Sequence, residues 1–182
     1  MEDVVAIRLY LLRHGPAGRR SAWRGDDADR PLTKAGLREV EQISRTLAAE
    51  GLVPDVVLTS PFVRSLQTAA MVAERLDRPD VVTVESSLAP GFGMADLEIL
   101  LNRWPTAESI MLVGHEPDLS ALSGALCGAR IVLQKGGLVE IELDRRRATE
   151  AVLLRLEQPT HLVRRLGDSR FPAINERKAP LP

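Results

Sequence analysis

The sequence predicts an α/β protein with a mostly parallel sheet covered by helices on both faces. Short apolar or β-branched segments alternate along the chain with segments whose apolar residues recur at helical spacing. This alternation is typical of βαβ units, and largely apolar strands indicate a sheet buried on both sides. The six strand candidates are Ala6–Leu12, Asp55–Thr59, Val81–Val84, Ser109–Val113, Leu138–Leu143 and Ala151–Leu156.

Three helices are predicted between these strands. Thr33–Glu50 has apolar residues three or four apart, Thr33 is a candidate N-cap, and Gly51 follows where a C-cap glycine belongs. The second helix is Pro61–Leu76. The third extends from Pro117 to about Leu126 and has its proline in the first turn.

The chain length fits one domain. It has 182 residues, of which 45% are hydrophobic and 27% charged, an ordinary globular balance. We expect a domain over residues 1–166 and an irregular tail over 167–182, a segment without periodicity. The last two strands lie close in sequence and are expected to form an antiparallel hairpin. Its connection, Asp144–Thr149, contains three arginines and is expected to be a solvated turn.

The composition excludes several classes of protein. With 24 Lys plus Arg against 25 Asp plus Glu, the net charge of −1 argues against bulk nucleic-acid binding, and 3% aromatic residues argue against a base-stacking surface. The single cysteine, Cys127, rules out an intramolecular disulfide and a CxxC motif. The acidic N-terminus is unlike a secretory signal, and no apolar segment reaches the length of a membrane span. We therefore expect a cytoplasmic protein.

Cationic and imidazole side chains follow three of the predicted strands. The first strand ends in Arg13-His14-Gly15, the second is followed by Arg64 in the first turn of a helix, and the fourth is followed by His115. The carboxyl ends of parallel strands share one edge of the sheet, where ligands bind. Helix N-termini at the same edge add partial positive charge. The sequence therefore predicts a cationic pocket at this edge.

The predicted pocket suits a phosphoryl group. Guanidinium groups pair bidentately with phosphate oxygens, so Arg13 and Arg64 are candidate phosphate-binding residues. A neutral imidazole can attack phosphorus, and cationic neighbours such as Arg13 should keep it unprotonated. Gly15 is expected to let the backbone turn sharply and approach the ligand.

Four sequence elements occur in a fixed order along the chain. They are Arg13-His14-Gly15, Arg30-Pro31-Leu32-Thr33, the segment from Ser60 to Thr68, and Gly114-His115-Glu116-Pro117. Together they resemble the histidine phosphatase (phosphoglycerate-mutase-like) superfamily, and the similarity extends from about Ile7 to Leu156. Within that superfamily, the short chain and the Arg-Pro-Leu-Thr element are most similar to the SixA-type phosphohistidine phosphatases.

The resemblance implies a phosphatase and a fold. It implies a transient phosphate on His14, with Arg13, Arg64 and His115 binding the phosphoryl group and water releasing it. It also implies a three-layer α/β/α sandwich that requires no metal and no other cofactor.

The sequence departs from the family at the proton donor. Many members carry a glutamate after the third strand, whereas Leu88–Gly91 contains no carboxylate here. The asparagine common after Arg-His-Gly is also absent, Arg20 being nearest to that position. Asp27, before the Arg-Pro-Leu-Thr element, is the candidate catalytic acid. An imidazole leaving group, as in phosphohistidine, would need little help from an acid.

The number of residues between the third and fourth strands also limits the kind of substrate that can bind. About two dozen residues separate Val84 from Ser109, too few for the helical insertion that covers the pocket of sugar-phosphate mutases. An uncovered pocket would accept a phosphorylated protein or small phosphoesters. A metallohydrolase built on His14, His115 and nearby acids is disfavoured, because HExxH and clustered Cys/His patterns are absent. A non-catalytic phosphate-binding module stays open, because the usual glutamate is missing.

Overall fold

Strands and helices alternate through the chain. The structure is a computed structural model that describes residues 6–165, with main chain only at 147–150. The predicted tail, 167–182, lies outside the described residues. The strands are β1 Ala6–Arg13, β2 Val56–Thr59, β3 Val82–Val84, β4 Ser109–Gly114, β5 Leu138–Asp144 and β6 Arg147–Glu157. The α-helices are α1 Lys34–Ala49, α2 Val63–Arg75, α3 Met94–Arg103, α4 Asp118–Cys127 and α5 Pro159–Arg165.

The six strands form one sheet in the order β3-β2-β4-β1-β5-β6. The first four in this order pair in parallel, whereas β5 is antiparallel to both β1 and β6. The predicted mostly parallel sheet and the terminal hairpin are therefore both confirmed. The carboxyl ends of β1, β2 and β4 lie side by side at one edge, because these strands pair in parallel.

The sheet lies between two helical layers. Side chains alternate along β1, so that Leu9 and Leu11 pack on one face while Tyr10 and Leu12 pack on the other. Core residues of α3 and α4 cover the first face, and those of α1, α2 and α5 cover the second. This arrangement confirms the three-layer α/β/α sandwich.

The first helix begins and ends as predicted. The Thr33 hydroxyl accepts the Gly36 N–H at 2.9 Å, and Gly51 follows the helix with a φ of 72°. Gly36 also lets α1 approach the loop after β1, since a Cβ there would lie 2.1 Å from the Pro16 carbonyl oxygen. This contact places the end of β1 against the start of α1.

Two helices, α3 and α5, were not predicted. The Arg145 guanidinium donates hydrogen bonds to three carbonyl groups at the end of α3 and just after it, those of Leu101, Trp104 and Ala107. Arg145 belongs to the β5–β6 turn, so the expectation of a merely solvated turn was wrong for this residue. A contact between segments so far apart in sequence leaves no local pattern. The described helices include none long and apolar enough to cross a membrane.

Candidate active site

The four predicted side chains come together at the carboxyl edge of the sheet. Arg13 ends β1, His14 follows it, Arg64 lies in the first turn of α2, and His115 follows β4. The Arg64 Nε lies 3.1 Å from the His14 Nε2, and the Arg64 Nη2 lies 3.4 Å from the His115 Nδ1. The two imidazole rings have centroids 5.2 Å apart. The structure therefore brings these remote segments into one cluster.

The hydrogen bonds of His14 define its tautomer. Its Nδ1 lies 2.7 Å from the Gly15 carbonyl oxygen, which can only accept, so the proton is on Nδ1. The Nε2 then carries the lone pair and accepts a hydrogen bond from the Arg64 Nε. This is the arrangement required of an imidazole that attacks through Nε2.

The His14 side chain is held neutral. Burial is the largest effect on its pKa, and the charges of His115, Arg64 and Arg13 lower it further, to about 3 from its usual 6.5. Burial of the ring thus lowers this pKa more than the neighbouring cations predicted from the sequence do. Near neutral pH the imidazole is therefore free of a second proton.

His115 is oriented by a serine at the end of β2. Its Nε2 lies 2.8 Å from the Ser60 hydroxyl, which also accepts the Phe62 N–H at 3.3 Å. Burial, and then the charge of Arg64, lowers the pKa of His115 to about 4. Its Nδ1 faces Arg64 and the neighbouring His14 ring.

Asp27 lies in the cluster but does not have the environment of an acid. Its carboxylate accepts hydrogen bonds from the Arg30 Nε at 2.8 Å and the Arg64 Nη2 at 3.0 Å, and the Arg20 Nε lies 3.2 Å away. Burial opposes ionisation, but the Arg30 hydrogen bond and the charges of Arg64 and Arg30 outweigh it and lower the pKa of Asp27. An ionised carboxylate among arginines holds no proton to donate. The described contacts make Asp27 a counter-ion of Arg64, and its role as the acid stays a prediction that this environment does not favour.

Gly15 is also placed differently from the expectation. Its N–H donates to the Thr68 hydroxyl at 3.1 Å, so this donor is already used and Gly15 does not line the cleft described next. A Cβ at this position would lie 2.4 Å from the Val40 Cγ2. Close packing against α1, rather than phosphate binding, explains the glycine.

The cluster lines a cleft of about 830 Å³. Its wall also contains charged residues for which the sequence predicted no role in the site: Arg19, Arg30, Glu116 and Lys135. Among the described residues, neither Arg19 nor Lys135 forms an ion pair with an acidic side chain. Burial, and then the charges of Arg13, Arg30 and Arg64, lowers the pKa of Lys135. Such a concentration of positive charge is the electrostatic signature of an anion site.

The described residues contain no cluster of side chains suited to a metal ion. Across residues 6–165, no group of three or more His, Cys, Asp and Glu side chains is placed to hold a metal ion. The Arg64 guanidinium, which repels cations, contacts both His14 and His115.

The lowered histidine pKa values predict a pH-dependent stability. Below about pH 6.5 the unfolded chain binds protons that the folded chain excludes from His14 and His115. The free energy of unfolding is therefore expected to fall as the pH decreases below about 6.5. The contribution of His115 is lost by about pH 4 and that of His14 by about pH 3. Urea unfolding of the wild type at a series of pH values measures this slope.

The control for this experiment is the third histidine. His115→Gln should flatten the wild-type slope, and His161→Gln, at a side chain 61% exposed on α5, controls for the loss of a histidine outside the cluster. Asp27 and Asp55 also have lowered pKa values, but both carboxyl groups titrate below their usual 3.8. They therefore do not contribute to the change in stability between about pH 5 and 7. A wild-type stability that stays constant across this window would contradict the prediction.

Fold and site together define the class: an α/β/α protein with a cationic cleft in which two arginines and two histidines meet. Comparisons with known proteins agree. The family model of the histidine phosphatase superfamily (branch 1) matches residues 9–89. The phosphohistidine phosphatase SixA of Escherichia coli K12 is 30% identical over 125 residues, which are 66% of this chain and 74% of that protein. The chain belongs to the histidine phosphatase superfamily.

Solved structures confirm the fold. The structure of the protein histidine phosphatase SixA complexed with tungstate superposes with a TM-score of 0.73 at 25% identity, covering 86% of this chain and 99% of that one. A phosphoglycerate mutase from Bacillus anthracis superposes with a TM-score of 0.64 at 12% identity, covering 88% and 96%. The phosphoglycerate-mutase-like fold predicted from the sequence is thus confirmed.

Proposed function

We propose that this phosphatase hydrolyses protein phosphohistidine through a phosphate transiently bound to the His14 Nε2. The observation that carries the proposal is the neutral His14, with its proton on Nδ1 and its Nε2 beside Arg64 in a cationic cleft. A nucleophile in this state needs no base before it attacks. Phosphoryl transfer otherwise requires mainly positioning and neutralisation of charge.

The reaction has two steps. Arg13 and Arg64 bind the phosphoryl oxygens, the His14 Nε2 forms a bond to phosphorus, and the bond to the leaving group breaks. Water then attacks phosphorus, the N–P bond breaks, and inorganic phosphate leaves. The approach of a dianion favours protonation of His115, which can then donate its Nδ1–H to a phosphoryl oxygen. Asp27 keeps the Arg64 guanidinium in place through both steps.

The open cleft supports a protein substrate. The segment between β3 and β4 contributes α3, whose Leu97 and Leu100 are buried in the core, so this helix does not cover the cleft. A phosphohistidine side chain on a protein surface can therefore reach His14. The relatives named SixA are phosphohistidine phosphatases, in agreement with this choice. We also propose a cytoplasmic setting, in keeping with the single cysteine, Cys127.

A second candidate substrate class is small phosphoesters with another anionic group. Lys135 and Arg19 line the cleft without acidic partners among residues 6–165 and could bind such a group. Relative kcat/KM values decide between the two classes.

The proposed function is tested by phosphate release in the presence of EDTA. The purified protein is expected to dephosphorylate a phosphohistidine-bearing phosphotransfer domain and, less efficiently, p-nitrophenyl phosphate, with no loss of rate in the chelator. Loss of activity in EDTA would instead identify a metallohydrolase. Binding of phosphate or tungstate without any release of product would identify a non-catalytic module. Higher kcat/KM for a small diphosphorylated ester would favour the second substrate class.

A further inference from the structure

We propose that Thr68 is a positioning residue for the nucleophile His14, acting through the backbone of Gly15. The inference rests on the proposed phosphatase mechanism at His14. Thr68 lies on α2, four residues after Arg64, and is 1% exposed. It is outside the wall of the cleft, so a substrate does not contact it. Any effect of Thr68 on the reaction is therefore transmitted by the groups to which its hydroxyl is hydrogen-bonded.

The Thr68 hydroxyl both accepts and donates a hydrogen bond. It accepts the Gly15 N–H at 3.1 Å and donates to the Arg64 carbonyl oxygen at 2.7 Å. A backbone N–H can only donate and a carbonyl oxygen can only accept, so the direction of both bonds is fixed. The bond to Arg64 lies within α2, as is common for threonine in a helix. The bond to Gly15 instead joins α2 to the segment that follows β1.

Gly15 connects this hydroxyl to the imidazole of His14. The Gly15 carbonyl oxygen, 2.7 Å from the His14 Nδ1, accepts the proton of that nitrogen. Glycine has wide freedom about φ and ψ, so a hydrogen bond at its N–H restricts where its carbonyl oxygen can lie. Both nitrogens belong to one rigid ring, so holding the Nδ1–H also sets the direction of the Nε2 lone pair. Thr68 therefore restrains the atom that attacks phosphorus.

The second bond of Thr68 leads to the other nitrogen of the same ring. The Arg64 carbonyl accepts from Thr68, and the Arg64 Nε donates to the His14 Nε2 at 3.1 Å. The hydrogen bonds thus form a closed path that leaves His14 at Nδ1, passes through Gly15, Thr68 and Arg64, and returns at Nε2. In this path the Thr68 hydroxyl is the link between the end of β1 and the start of α2.

Loss of the hydroxyl would open this path at Gly15. Gly15 is buried, and its N–H would have no acceptor at Thr68. An unpaired buried donor is costly, so we expect this peptide group to turn toward another acceptor. The carbonyl oxygen that holds the His14 Nδ1–H would shift with it. Attack on phosphorus needs aligned atoms, and a displacement of about 1 Å can slow such a reaction by about 10²-fold.

Thr68→Val tests the proposal, because valine is β-branched like threonine but has no hydroxyl. The single-turnover rate of His14 phosphorylation by p-nitrophenyl phosphate is expected to fall by about 10- to 10²-fold. The substrate concentration that gives half of the maximal rate should change by less than about threefold, because the cations of the cleft are unaltered. Thr68→Ser, which restores the hydroxyl, should recover most of the lost rate.

A spectroscopic measurement reports on His14 directly. The chain has three histidines, and ¹⁵N chemical shifts distinguish the protonated nitrogen of a neutral imidazole from the bare one. Near neutral pH the wild type should show His14 with its proton on Nδ1. Thr68→Val should show a mixture of the two tautomers, and Thr68→Ser should restore the wild-type shifts. A role of Thr68 in stability alone would leave these shifts unchanged.

The matched control is Thr46→Val on α1. Thr46 is 2% exposed, and its hydroxyl donates to the Leu162 carbonyl oxygen of α5 at 2.7 Å, so this substitution also removes a buried hydrogen bond between two elements. Urea unfolding should show a loss of stability in both valine variants. Thr46→Val should nevertheless keep the wild-type phosphorylation rate and the wild-type shifts of His14.

Failure of the positioning role and failure of the proposed function are distinguishable. Unchanged His14 shifts or an unchanged rate in Thr68→Val, or an equal loss of rate in Thr46→Val, would each overturn the positioning role and leave the His14 mechanism intact. Where valine impairs folding, Thr68→Ala removes the hydroxyl without adding a methyl group and gives the same comparison. A wild type that forms no phosphoenzyme would instead refute the proposed function, and the His14 shifts would still test the restraint by Thr68.

Discussion

Replacement of His14 by alanine is expected to abolish the covalent phosphoenzyme and to lower turnover by roughly 10⁴-fold or more, as removal of a nucleophile does in other covalent mechanisms. The physical reason is that no other described imidazole is so placed. The His115 Nε2 is hydrogen-bonded to Ser60, and its Nδ1 faces Arg64. Only the His14 Nε2 combines a lone pair, burial of the ring and direct contact with the Arg64 Nε.

The measurement is rapid quenching with a ³²P-labelled substrate. Phosphohistidine is labile in acid and stable in alkali, so the wild type should carry a label with that stability and His14→Ala should carry none. His161→Ala serves as control, because this third histidine is largely exposed and lies on α5. A label that persists in His14→Ala would show that the nucleophile is a different residue.

Arg64 is expected to give the second largest effect. Its side chain is 4% exposed and donates to the His14 Nε2, to the Asp27 carbonyl and carboxylate oxygens, and to the His115 Nδ1. Arg64→Ala removes the guanidinium that orients the nucleophile and neutralises the phosphoryl oxygens. We expect kcat/KM to fall by about 10²- to 10³-fold, the usual cost of losing one preorganised donor, and more if both roles contribute fully.

Arg64→Lys tests whether charge or geometry accounts for this effect. An ammonium group restores the charge but cannot make the forked contacts with His14, His115 and Asp27, so lysine should recover little of the lost kcat/KM. Arg45→Lys on α1 is the control, since its side chain is 57% exposed and pairs with Glu41 on the same helix. An Arg64→Ala variant within a few-fold of wild-type kcat/KM would contradict the assigned role.

Asp27 shows what the sequence could not predict about the candidate proton donor. The sequence showed an acidic residue at a position similar to one in the SixA-type family, but it could not show that Arg20, Arg30 and Arg64 surround the carboxylate. These arginines come from different turns of the chain and meet only in the folded protein. The same limit applies to Lys135, a loop lysine whose place in the cleft wall depends on how β5 pairs with β1.

The helices show the same difference between local contacts, which the sequence reveals, and long-range contacts, which it does not. The N-cap of α1 is made by Thr33 and Gly36, three residues apart, and such a local hydrogen bond leaves a readable pattern. The end of α3 is instead stabilised by three hydrogen bonds from Arg145. Two of the three acceptor residues are more than forty positions from Arg145 in the sequence. No window of local sequence contains both partners of such a contact.

The sequence by itself determined the order of the six strands and of three helices, α1, α2 and α4, together with the parallel sheet and the identity of the cluster formed by Arg13, His14, Arg64 and His115. It could do so because periodicity and strand-end placement are local properties, and a parallel sheet delivers all its carboxyl ends to one edge. The tertiary structure decided the protonation and pairing of those side chains: His14 is neutral, and Arg64 is paired with Asp27. These properties depend on burial and on charges from distant segments, which exist only once the chain has folded.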